Sequence, residues 1–500
     1  MSGVLMGLLY EQAERRPEHT ALVYRDERIA FADLVERIER LASGLAQRGI
    51  GAGDAVALVL PDDPWFVTSF HAITALGAIV VPVNPAFKQA ELEFNFASTG
   101  VRAIISDERT AGVCERIASG LDGEVEVITT STAHGQAHTL DALVEEGSAE
   151  RLAARLPEET FVYQFSSGST GRPKRVPRTH RQCAAEASAY AALGLAHEDR
   201  IFCAIPLFHT WGMGSCLFGG AASGATVVIL EDPQPFLLKR RQAMELIERE
   251  QATVFPGVPF NFRLMAEAPA GADLSSLRLC FSAGTALPRA SFEAFGERFG
   301  VLVRQLYGST ETGMITANIS DDPVSTFESV GAPVQGVTVA IVDDEGAPVP
   351  TGEVGEVTVA SPAASNGYAG AEDANREAFR EGRYFTGDLG RLDQDGRLYL
   401  EGRKKLLIEV GGYKVDPIEV QDVIVTHPAV SDAIVVGVAG ETAGEEAVKA
   451  VVVPAADCEE GELIAFCRER LANFKVPRAV EFRDEIPTSP LGKVLRKYLV

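Results

Sequence analysis

The sequence lacks several features that mark whole classes of protein. Its seven cysteines are odd in number and form no CxxC pair, so neither zinc ligation nor a disulfide framework is indicated. The apolar runs at 55–60 and 78–83 are too short to span a bilayer. The start of the chain has no basic segment ahead of an apolar core, so it does not resemble a signal peptide. We therefore expect a soluble cytoplasmic protein with reduced cysteines and no integral membrane segment.

Positive charge is also scarce. The chain has 46 Lys and Arg residues against 70 Asp and Glu residues, which gives a formal net charge of -24. Proteins that hold nucleic acid or an anionic membrane need a surplus of basic side chains. This composition therefore argues against either as the main partner, and any basic site must be local.

What the sequence does contain is a long alternation of strand-like and helix-like segments. Its 500 residues exceed the ~250 to 300 residues that one hydrophobic core usually serves, so several subdomains are expected. β-branched runs alternate with helical patterns up to residue 106 and again after residue 226, which predicts two α/β layers with parallel strands. Short strands and turns from Val337 predict a β-rich subdomain, and about the last hundred residues read as a separate α+β lobe.

A glycine- and hydroxyl-rich segment, SSGSTGRPK, runs from Ser166 to Lys174 after a strand-like stretch. Small residues let the backbone fold around an anion, hydroxyl groups donate hydrogen bonds, and Lys174 adds a positive charge. A polyphosphate would suit such a loop, although an ordinary turn has the same composition. The segment is not a Walker A loop, because Lys174 lies between Pro173 and Arg175.

Five further blocks accompany this segment in a fixed order along the chain. They are PLFHTWG at 206–212, YGSTET at 307–312, YFTGDLG at 384–390, GRKKLLIEVGGYKV at 402–415 and PTSPLGKVLR at 487–496. Together with the phosphate segment they make the chain resemble the adenylate-forming superfamily, closest in style to fatty-acyl or aryl-CoA ligases. The resemblance covers nearly the whole chain. It implies an α/β fold with a large N-terminal domain at 1–403 and a small mobile C-terminal domain at 404–500, hinged at Lys405.

The resemblance also implies a site for ATP. The residues that it assigns to the β- and γ-phosphates are Ser167, Gly168, Ser169, Thr170, Gly171 and Lys174. Tyr307 and Gly308 would border the adenine and the acyl pocket, Thr310 would meet the α-phosphate, and Glu311 would hold Mg²⁺, a cation that prefers oxygen ligands. A helix-capping turn would be an alternative explanation of the Ser-Thr-Glu sequence.

The remaining implied residues lie further along the chain. Asp388, in a Gly-Asp turn after an aromatic strand, would bind both ribose hydroxyls, and Arg403 would contact ribose or phosphate. Gly411 and Gly412 would border a pantetheine tunnel, although a glycine turn explains them equally well. Lys493 would bridge the carboxylate and the α-phosphate in the transition state.

The substrate implied is a carboxylic acid, which the enzyme would convert to an acyl-AMP and pass to a thiol. His209 would lie near the acyl carboxylate or gate the thiol channel, with a buried structural histidine as the alternative. Amino-acid-activating relatives carry an aspartate at the position of Thr210, so an α-amino acid is disfavoured. The expected pocket segments are small or apolar and suit an alkyl or aryl acid: 210–214, 256–262, 282–286 and Gly308.

Two residues depart from the family pattern, and the thiol acceptor stays open. Arg175 stands where most relatives have glycine, which adds a solvent-facing or phosphate-facing charge. Glu409 stands where several relatives have a basic residue. The acceptor is coenzyme A, favoured because no carrier domain follows Lys493, or the phosphopantetheine of a separate acyl carrier protein. A non-catalytic nucleotide-binding protein on the same fold is the alternative from another class.

Overall fold

The computed structural model describes most of the 500 residues. The described ranges are 4–130, 139–152, 156, 158–166, 173–231, 236–269, 271–403, 408–440, 445–486 and 499, without the side chains of 403 and 418. The helices are α1 (Leu5–Arg15), α2 (Phe31–Gln47), α3 (Pro64–Leu76), α4 (Gln89–Thr99), α5 (Glu108–Ala118), α6 (Leu140–Glu146), α7 (His180–Ala192), α8 (Thr210–Gly212), α9 (Gly219–Ser223), α10 (Phe236–Glu250), α11 (Pro259–Ala266), α12 (Arg289–Phe299), α13 (Glu372–Ala378), α14 (Pro417–Ile424) and α15 (Glu460–Arg470). A π-helix (Met213–Phe218) joins α8 to α9, and a 3-10 helix spans Asn473–Lys475.

The strands complete the list of elements. They are β1 (Thr20–Tyr24), β2 (Glu27–Ala30), β3 (Ala55–Val59), β4 (Ile79–Pro82), β5 (Val101–Ser106), β6 (Glu126–Thr129), β7 (Thr160–Ser166), β8 (Lys174–Thr179), β9 (Arg200–Cys203), β10 (Thr226–Ile229), β11 (Val254–Gly257), β12 (Leu279–Ser282), β13 (Val303–Ser309), β14 (Gly313–Ala317), β15 (Ala332–Pro333), β16 (Thr338–Val342), β17 (Gly355–Ala360), β18 (Phe379–Arg380), β19 (Arg383–Leu392), β20 (Leu398–Arg403), β21 (Ile408–Val410), β22 (Tyr413–Val415), β23 (Val430–Ala439), β24 (Glu446–Pro454) and β25 (Ala479–Phe482).

Local sequence explains where these elements begin and end, as α3 illustrates. The Asp63 side chain accepts a hydrogen bond from the Phe66 amide at 2.9 Å, and Pro64 takes the first helical position. Gly77 follows the last turn with φ 75°, a left-handed conformation in which glycine has no steric penalty. An N-cap, an initial proline and a terminal glycine therefore delimit this helix.

Two mainly parallel sheets form the large part of the fold. The first has six strands in the order β6-β5-β3-β4-β7-β8 and the second nine in the order β15-β14-β13-β12-β11-β9-β10-β1-β2. Successive residues of the nine-stranded sheet point to opposite faces. Leu22 and Val227 belong to a core shared with α2, α3, α7 and the six-stranded sheet, whereas Val23 and Val228 pack with α10, α11 and α12. The two α/β layers expected from the sequence are confirmed.

The β-rich subdomain and the C-terminal lobe are present as well. Strands β16, β17, β19 and β18 pair in antiparallel fashion, and β20 pairs with β19 to complete a five-stranded sheet. In the C-terminal part, β23, β24 and β25 form a three-stranded sheet that shares a core with α14 and α15. The α/β class with a large N-terminal part and a small C-terminal part of strands and helices is therefore confirmed.

The chain separates into two compact units. The first contains residues 1–85, 96–164 and 175–402, and the second contains 86–95, 165–174 and 403–500. The two short segments that group with the C-terminal lobe were not foreseen from the sequence. The proposed domains 1–403 and 404–500, with Lys405 as hinge, stay predictions, and Lys405 lies outside the described residues.

No helix among the described residues is both long enough and apolar enough to cross a membrane.

Candidate active site

The predicted acyl-pocket segments meet at one edge of the nine-stranded sheet. Strands β11, β12 and β13 are parallel neighbours, and three of the segments, 256–262, 282–286 and Gly308, lie at or just beyond their carboxyl ends. The fourth, 210–214, is tied to β11 because the Trp211 indole N–H donates to the Gly257 carbonyl at 3.1 Å. Crevices at the carboxyl ends of parallel strands are the usual ligand sites of open α/β sheets.

Thr310 and Glu311 lie in a tight connection between two antiparallel strands. β13 reaches Ser309 and β14 starts at Gly313, and the two strands pair through Ser309 and Gly313. The connection is closed by a 2.9 Å hydrogen bond between the hydroxyls of Ser309 and Thr312. A hairpin rather than a helix cap therefore presents Thr310 and Glu311, so the helix-capping alternative is wrong.

Glu311 is a buried carboxylate with a phenol as its partner. Its side chain is 5% exposed, and its Oε1 accepts a hydrogen bond from the Tyr368 hydroxyl at 2.9 Å. Tyr384 lies close to Tyr368, and the Phe379 ring packs against both. Burial, and next the charge of Glu311, raise the pKa of the Tyr384 phenol well above its ordinary value. The motif analysis missed Tyr368, which lies outside every block, and gave no role to Tyr384, the first residue of the block at 384–390.

Asp388 is brought to the same site by β19. Its Oδ2 accepts a hydrogen bond from the Tyr307 hydroxyl at 2.5 Å, so the predicted ribose and adenine residues are neighbours. The expected turn after an aromatic strand is wrong, because β19 continues through Asp388 to Leu392. The pairing of β19 with β17 shifts register at this point, and Gly387 has φ 73°. A glycine-assisted bulge therefore replaces the expected turn.

His209 caps the short helix α8 at the rim of the pocket segments. Its Nδ1 accepts a hydrogen bond from the Trp211 amide at 3.2 Å, which places the proton of a neutral ring on Nε2. The side chain is exposed, so the alternative of a buried structural histidine is wrong. The next residue, Thr210, brings its hydroxyl within 3.4 Å of the Thr310 hydroxyl. His209 therefore lies close to the residue predicted to meet the α-phosphate.

A buried ion pair contacts the Thr310–Glu311 hairpin. The sequence analysis did not predict it. Arg178 on β8 is 0% exposed and bonds the carboxylate of Glu186 on α7 at 2.9 Å, where the Glu186 side chain is 2% exposed. Arg178 also donates to the Thr310 carbonyl at 3.5 Å. A side chain at Gly313 would place its Cβ 2.5 Å from Glu186. The glycine after the YGSTET block is therefore required by the fit of this ion pair.

The predicted residues of the second unit are described more sparsely. Lys174 begins β8, while Ser167, Gly168, Ser169, Thr170, Gly171 and Lys493 lie outside the described residues, as does the side chain of Arg403. Gly411 and Gly412 connect β21 to β22 with φ 57° and 86°, as a two-residue hairpin turn with two positive φ angles requires. The turn explanation of these glycines is thus sufficient locally, and their role in a pantetheine tunnel stays a prediction.

The two departures from the family pattern have structural roles. The Arg175 guanidinium lies 4.8 Å from the Tyr163 ring and donates to the Ser98 carbonyl at 2.6 Å. Arg175 is therefore half-buried against protein groups rather than simply facing solvent. The amide of Glu409 on β21 donates to Glu446 at 2.7 Å, which fixes its backbone in the C-terminal lobe.

The protein groups fit a magnesium ion that arrives with a nucleotide. Within the described ranges, no three His, Cys, Asp or Glu side chains converge on a point that could hold a metal. Mg²⁺ usually keeps several waters and binds one or two carboxylates together with substrate phosphates. The buried carboxylate of Glu311 can provide one of those ligands, and a protein-only cage is not needed.

The fold is that of the adenylate-forming enzymes, and the chain is an ATP-dependent ligase that joins an acid to a thiol. The chain belongs to the AMP-binding enzyme family. Residues 9–369 match the family model for AMP-binding enzymes, and residues 419–493 match that for the AMP-binding enzyme C-terminal domain. The fold, the enzyme class and the resemblance inferred from the motif blocks are confirmed.

Named relatives cover almost the entire chain. A long-chain-fatty-acid–CoA ligase from Bacillus subtilis is 30% identical over 99% of this chain and 94% of its own length. A feruloyl-CoA synthase from Amycolatopsis is 32% identical over 97% of this chain and 96% of its own. Among solved structures, a double mutant of o-succinylbenzoate CoA synthetase from Bacillus subtilis has a TM-score of 0.87 at 29% identity and covers 98% of both chains.

Proposed function

We propose that the protein activates an alkyl or aryl carboxylic acid with ATP and transfers the acyl group to coenzyme A. The acid attacks the α-phosphorus of ATP, which releases pyrophosphate and forms an acyl-AMP. The thiol of coenzyme A then attacks the acyl carbon and displaces AMP. One observation carries the proposal: the same compact unit contains the Thr310–Glu311 hairpin, Asp388 and the apolar pocket segments. The named ligases of fatty and aromatic acids support this choice of substrate class.

Each side chain has a task that its position permits. Asp388 accepts hydrogen bonds from the ribose hydroxyls once Tyr307 yields its present bond, and Tyr307 then lies beside the adenine. Thr310 donates its hydroxyl to the α-phosphate. His209 and Thr210, at the start of α8, hold the acyl carboxylate near that phosphorus. Such positioning lowers the barrier because the reacting groups are already aligned.

Protein side chains and a metal ion would together offset the negative charge of the ATP phosphates. Glu311 would hold Mg²⁺, and the ion would supply positive charge to offset that of the phosphates. The residues from Ser167 to Gly171, together with Lys174, contact the β- and γ-phosphates, and Arg403 contacts ribose or phosphate. Lys493 stabilises the charge that develops between the carboxylate and the α-phosphate. Gly411 and Gly412 border the path of the pantetheine arm in the second half-reaction.

A carrier-protein phosphopantetheine is the alternative acceptor, because it ends in the same thiol arm as coenzyme A. A non-catalytic nucleotide-binding protein on this fold is the alternative from another class. The cytoplasm is the compartment we propose, which the seven unpaired cysteines support.

One screen tests these proposals together. Purified protein is incubated with ATP, Mg²⁺ and a panel of fatty, aromatic and short acids, and pyrophosphate release is measured. Active acids are then offered coenzyme A or a phosphopantetheinylated carrier protein, and the thioester is identified by mass spectrometry. We expect acid-dependent pyrophosphate release and an acyl-CoA product, with Glu311→Gln reducing release at least ~10²-fold. Pyrophosphate release that no acid increases would contradict the proposal.

A further inference from the structure

The segment 361–370 lies against Glu311, although none of the recognised motif blocks contains it. Tyr368, in this segment, donates its hydroxyl to Glu311 Oε1 at 2.9 Å. Tyr368 is 6% exposed and Glu311 is 5% exposed. A hydrogen bond to a charged group in such a buried position is worth more than one in water, and its loss leaves a buried acceptor unpaired. The contact therefore constrains the orientation of the Glu311 carboxylate.

The backbone of Tyr368 is itself held at two points. Its amide donates to Asn375 Oδ1 at 2.6 Å, and its carbonyl accepts from Asn375 Nδ2 at 2.8 Å. Gly367 has φ 140°, and a Cβ there would lie 2.9 Å from Asn375 Oδ1. The Asn375 side chain thus bonds both backbone groups of Tyr368, as a neighbouring strand would, and the absence of a side chain at Gly367 leaves room for it. The Asn375 contacts fix the backbone of Tyr368 and therefore help to fix the position of its hydroxyl.

The same segment is fastened to β8, the strand that follows the predicted phosphate loop. The Ser365 hydroxyl donates to the Pro177 carbonyl at 2.8 Å, and the Ala369 amide donates to the Arg175 carbonyl at 2.9 Å. The Ser365 amide donates to the Glu311 carbonyl at 2.7 Å. Segment 361–370 therefore connects β8 to Glu311 through both backbone and side chain.

Aromatic packing supports the phenol from behind. Tyr368 and Phe379 meet edge to face at 5.4 Å between ring centroids, and Phe379 and Tyr384 pack at 5.0 Å. The Tyr384 phenol lies close to Tyr368, so these three aromatic side chains form one packed group next to Glu311. The Tyr368 ring is therefore held by packing as well as by the hydrogen bond of its hydroxyl to Glu311.

We propose that Tyr368 is a positioning residue for magnesium-dependent nucleotide binding, an inference that rests on the proposed metal role of Glu311. Its hydroxyl occupies one oxygen of the carboxylate and so restricts rotation of the group that would meet the metal. Tyr384 and Asn375 fix Tyr368 in turn. Groups that orient a metal ligand in this way typically change metal affinity by about 10- to 100-fold when removed.

The test uses Tyr368→Phe, which removes the hydroxyl and keeps the ring. ATP binding is measured by calorimetry across a range of Mg²⁺ concentrations and without metal. We expect the Mg²⁺ concentration that half-saturates the gain in ATP affinity to rise about 10-fold, while metal-free ATP binding stays within twofold. Binding of Mn²⁺ in the presence of ATP, followed by electron paramagnetic resonance, should weaken by a similar factor.

The matched control is Tyr399→Phe, which removes a tyrosine hydroxyl bonded at 3.2 Å to Asp393, a carboxylate with no predicted role in the site. It should leave the Mg²⁺ dependence unchanged. Tyr384→Phe, which keeps the contact to Glu311, should shift the Mg²⁺ dependence in the same direction by a smaller factor. It also provides the test if Tyr368→Phe does not fold. The proposal would be overturned if both variants kept the native Mg²⁺ dependence. It would also be overturned if metal-free ATP binding weakened as much as ATP binding in the presence of Mg²⁺. If the native protein bound no ATP at all, the proposed function itself would fail.

Discussion

Glu311 shows how a single charged side chain in this site depends on residues far away in sequence. The family resemblance, carried in part by its block YGSTET, implied that it is a metal ligand. Its hydrogen-bond partner Tyr368 is 57 positions away, and the Asn375 clamp is further still. Contacts of that kind arise only when separate loops are packed together, so no local sequence pattern could have revealed them.

At the same scale, Lys493 carries the clearest prediction for the chemical step. Its replacement by alanine removes the cation that is predicted to stabilise charge on the α-phosphate. We expect a folded protein whose acid-dependent ATP–pyrophosphate exchange falls at least ~10²-fold. Lys239→Ala, at a lysine in α10 whose ammonium bonds to Gln242 at 3.3 Å, is the control and should have no effect. Undiminished exchange in Lys493→Ala would refute the assigned role.

Among the elements, β8 and α7 are joined by the fully buried Arg178–Glu186 pair. Opposite charges taken out of water are stable only when each has its partner. The pair lies against Gly313 and reaches the Thr310 carbonyl. The packing of this strand and helix therefore affects both the stability of the fold and the shape of the Thr310–Glu311 hairpin.

Arg178→Met should lower the free energy of unfolding by about 3 to 5 kcal/mol, because it leaves the buried Glu186 carboxylate without its partner. Adding Glu186→Gln should recover part of that loss, since the uncompensated charge is removed. The measurement is urea unfolding of both single variants and the double variant. Arg241→Met, in the exposed pair Arg241–Glu245, should cost less than about 1 kcal/mol. Strictly additive effects at 178 and 186 would contradict the coupling.

For the β21–β22 hairpin, the sequence left two explanations of its glycine pair. The Gly-Gly pair suited either a thiol path or a turn, and the backbone has the positive φ angles that the turn requires. The one-dimensional pattern could not separate them, because both explanations ask for the same small residue. The turn accounts for the local conformation, and the thiol path remains a prediction.

At the level of the whole molecule, the division into two compact units is relevant to the two half-reactions, acyl-AMP formation and thioester formation. The family resemblance implies that the C-terminal lobe rotates about Lys405 between acyl-AMP formation and thioester formation. A proline at this position restricts φ to about -65°, which would limit such a rotation. The hinge is therefore open to a test that separates the half-reactions.

Lys405→Pro should leave ATP–pyrophosphate exchange nearly unchanged and reduce acyl-CoA formation by about 10-fold or more, because only the second step needs the rotated lobe. Exchange and thioester formation are measured on the same preparation. Lys405→Ala removes the charge without restricting the backbone and serves as the control. Equal loss of both activities in the proline variant would contradict a hinge role.

The sequence alone determined the α/β class, the β-rich subdomain, the separate C-terminal lobe and the enzyme class. The fold class and the subdomains follow from hydrophobic periodicity, and the enzyme class follows from the family resemblance carried by the motif blocks; both signals are local properties of the chain. The tertiary structure decided what depends on distant contacts: the bulge at Asp388 in place of a turn, the exposed His209, the buried Arg178–Glu186 pair and the Tyr368 bond to Glu311. Burial and pairing of polar groups are set by which elements meet in space, and the order of residues along the chain does not encode that locally.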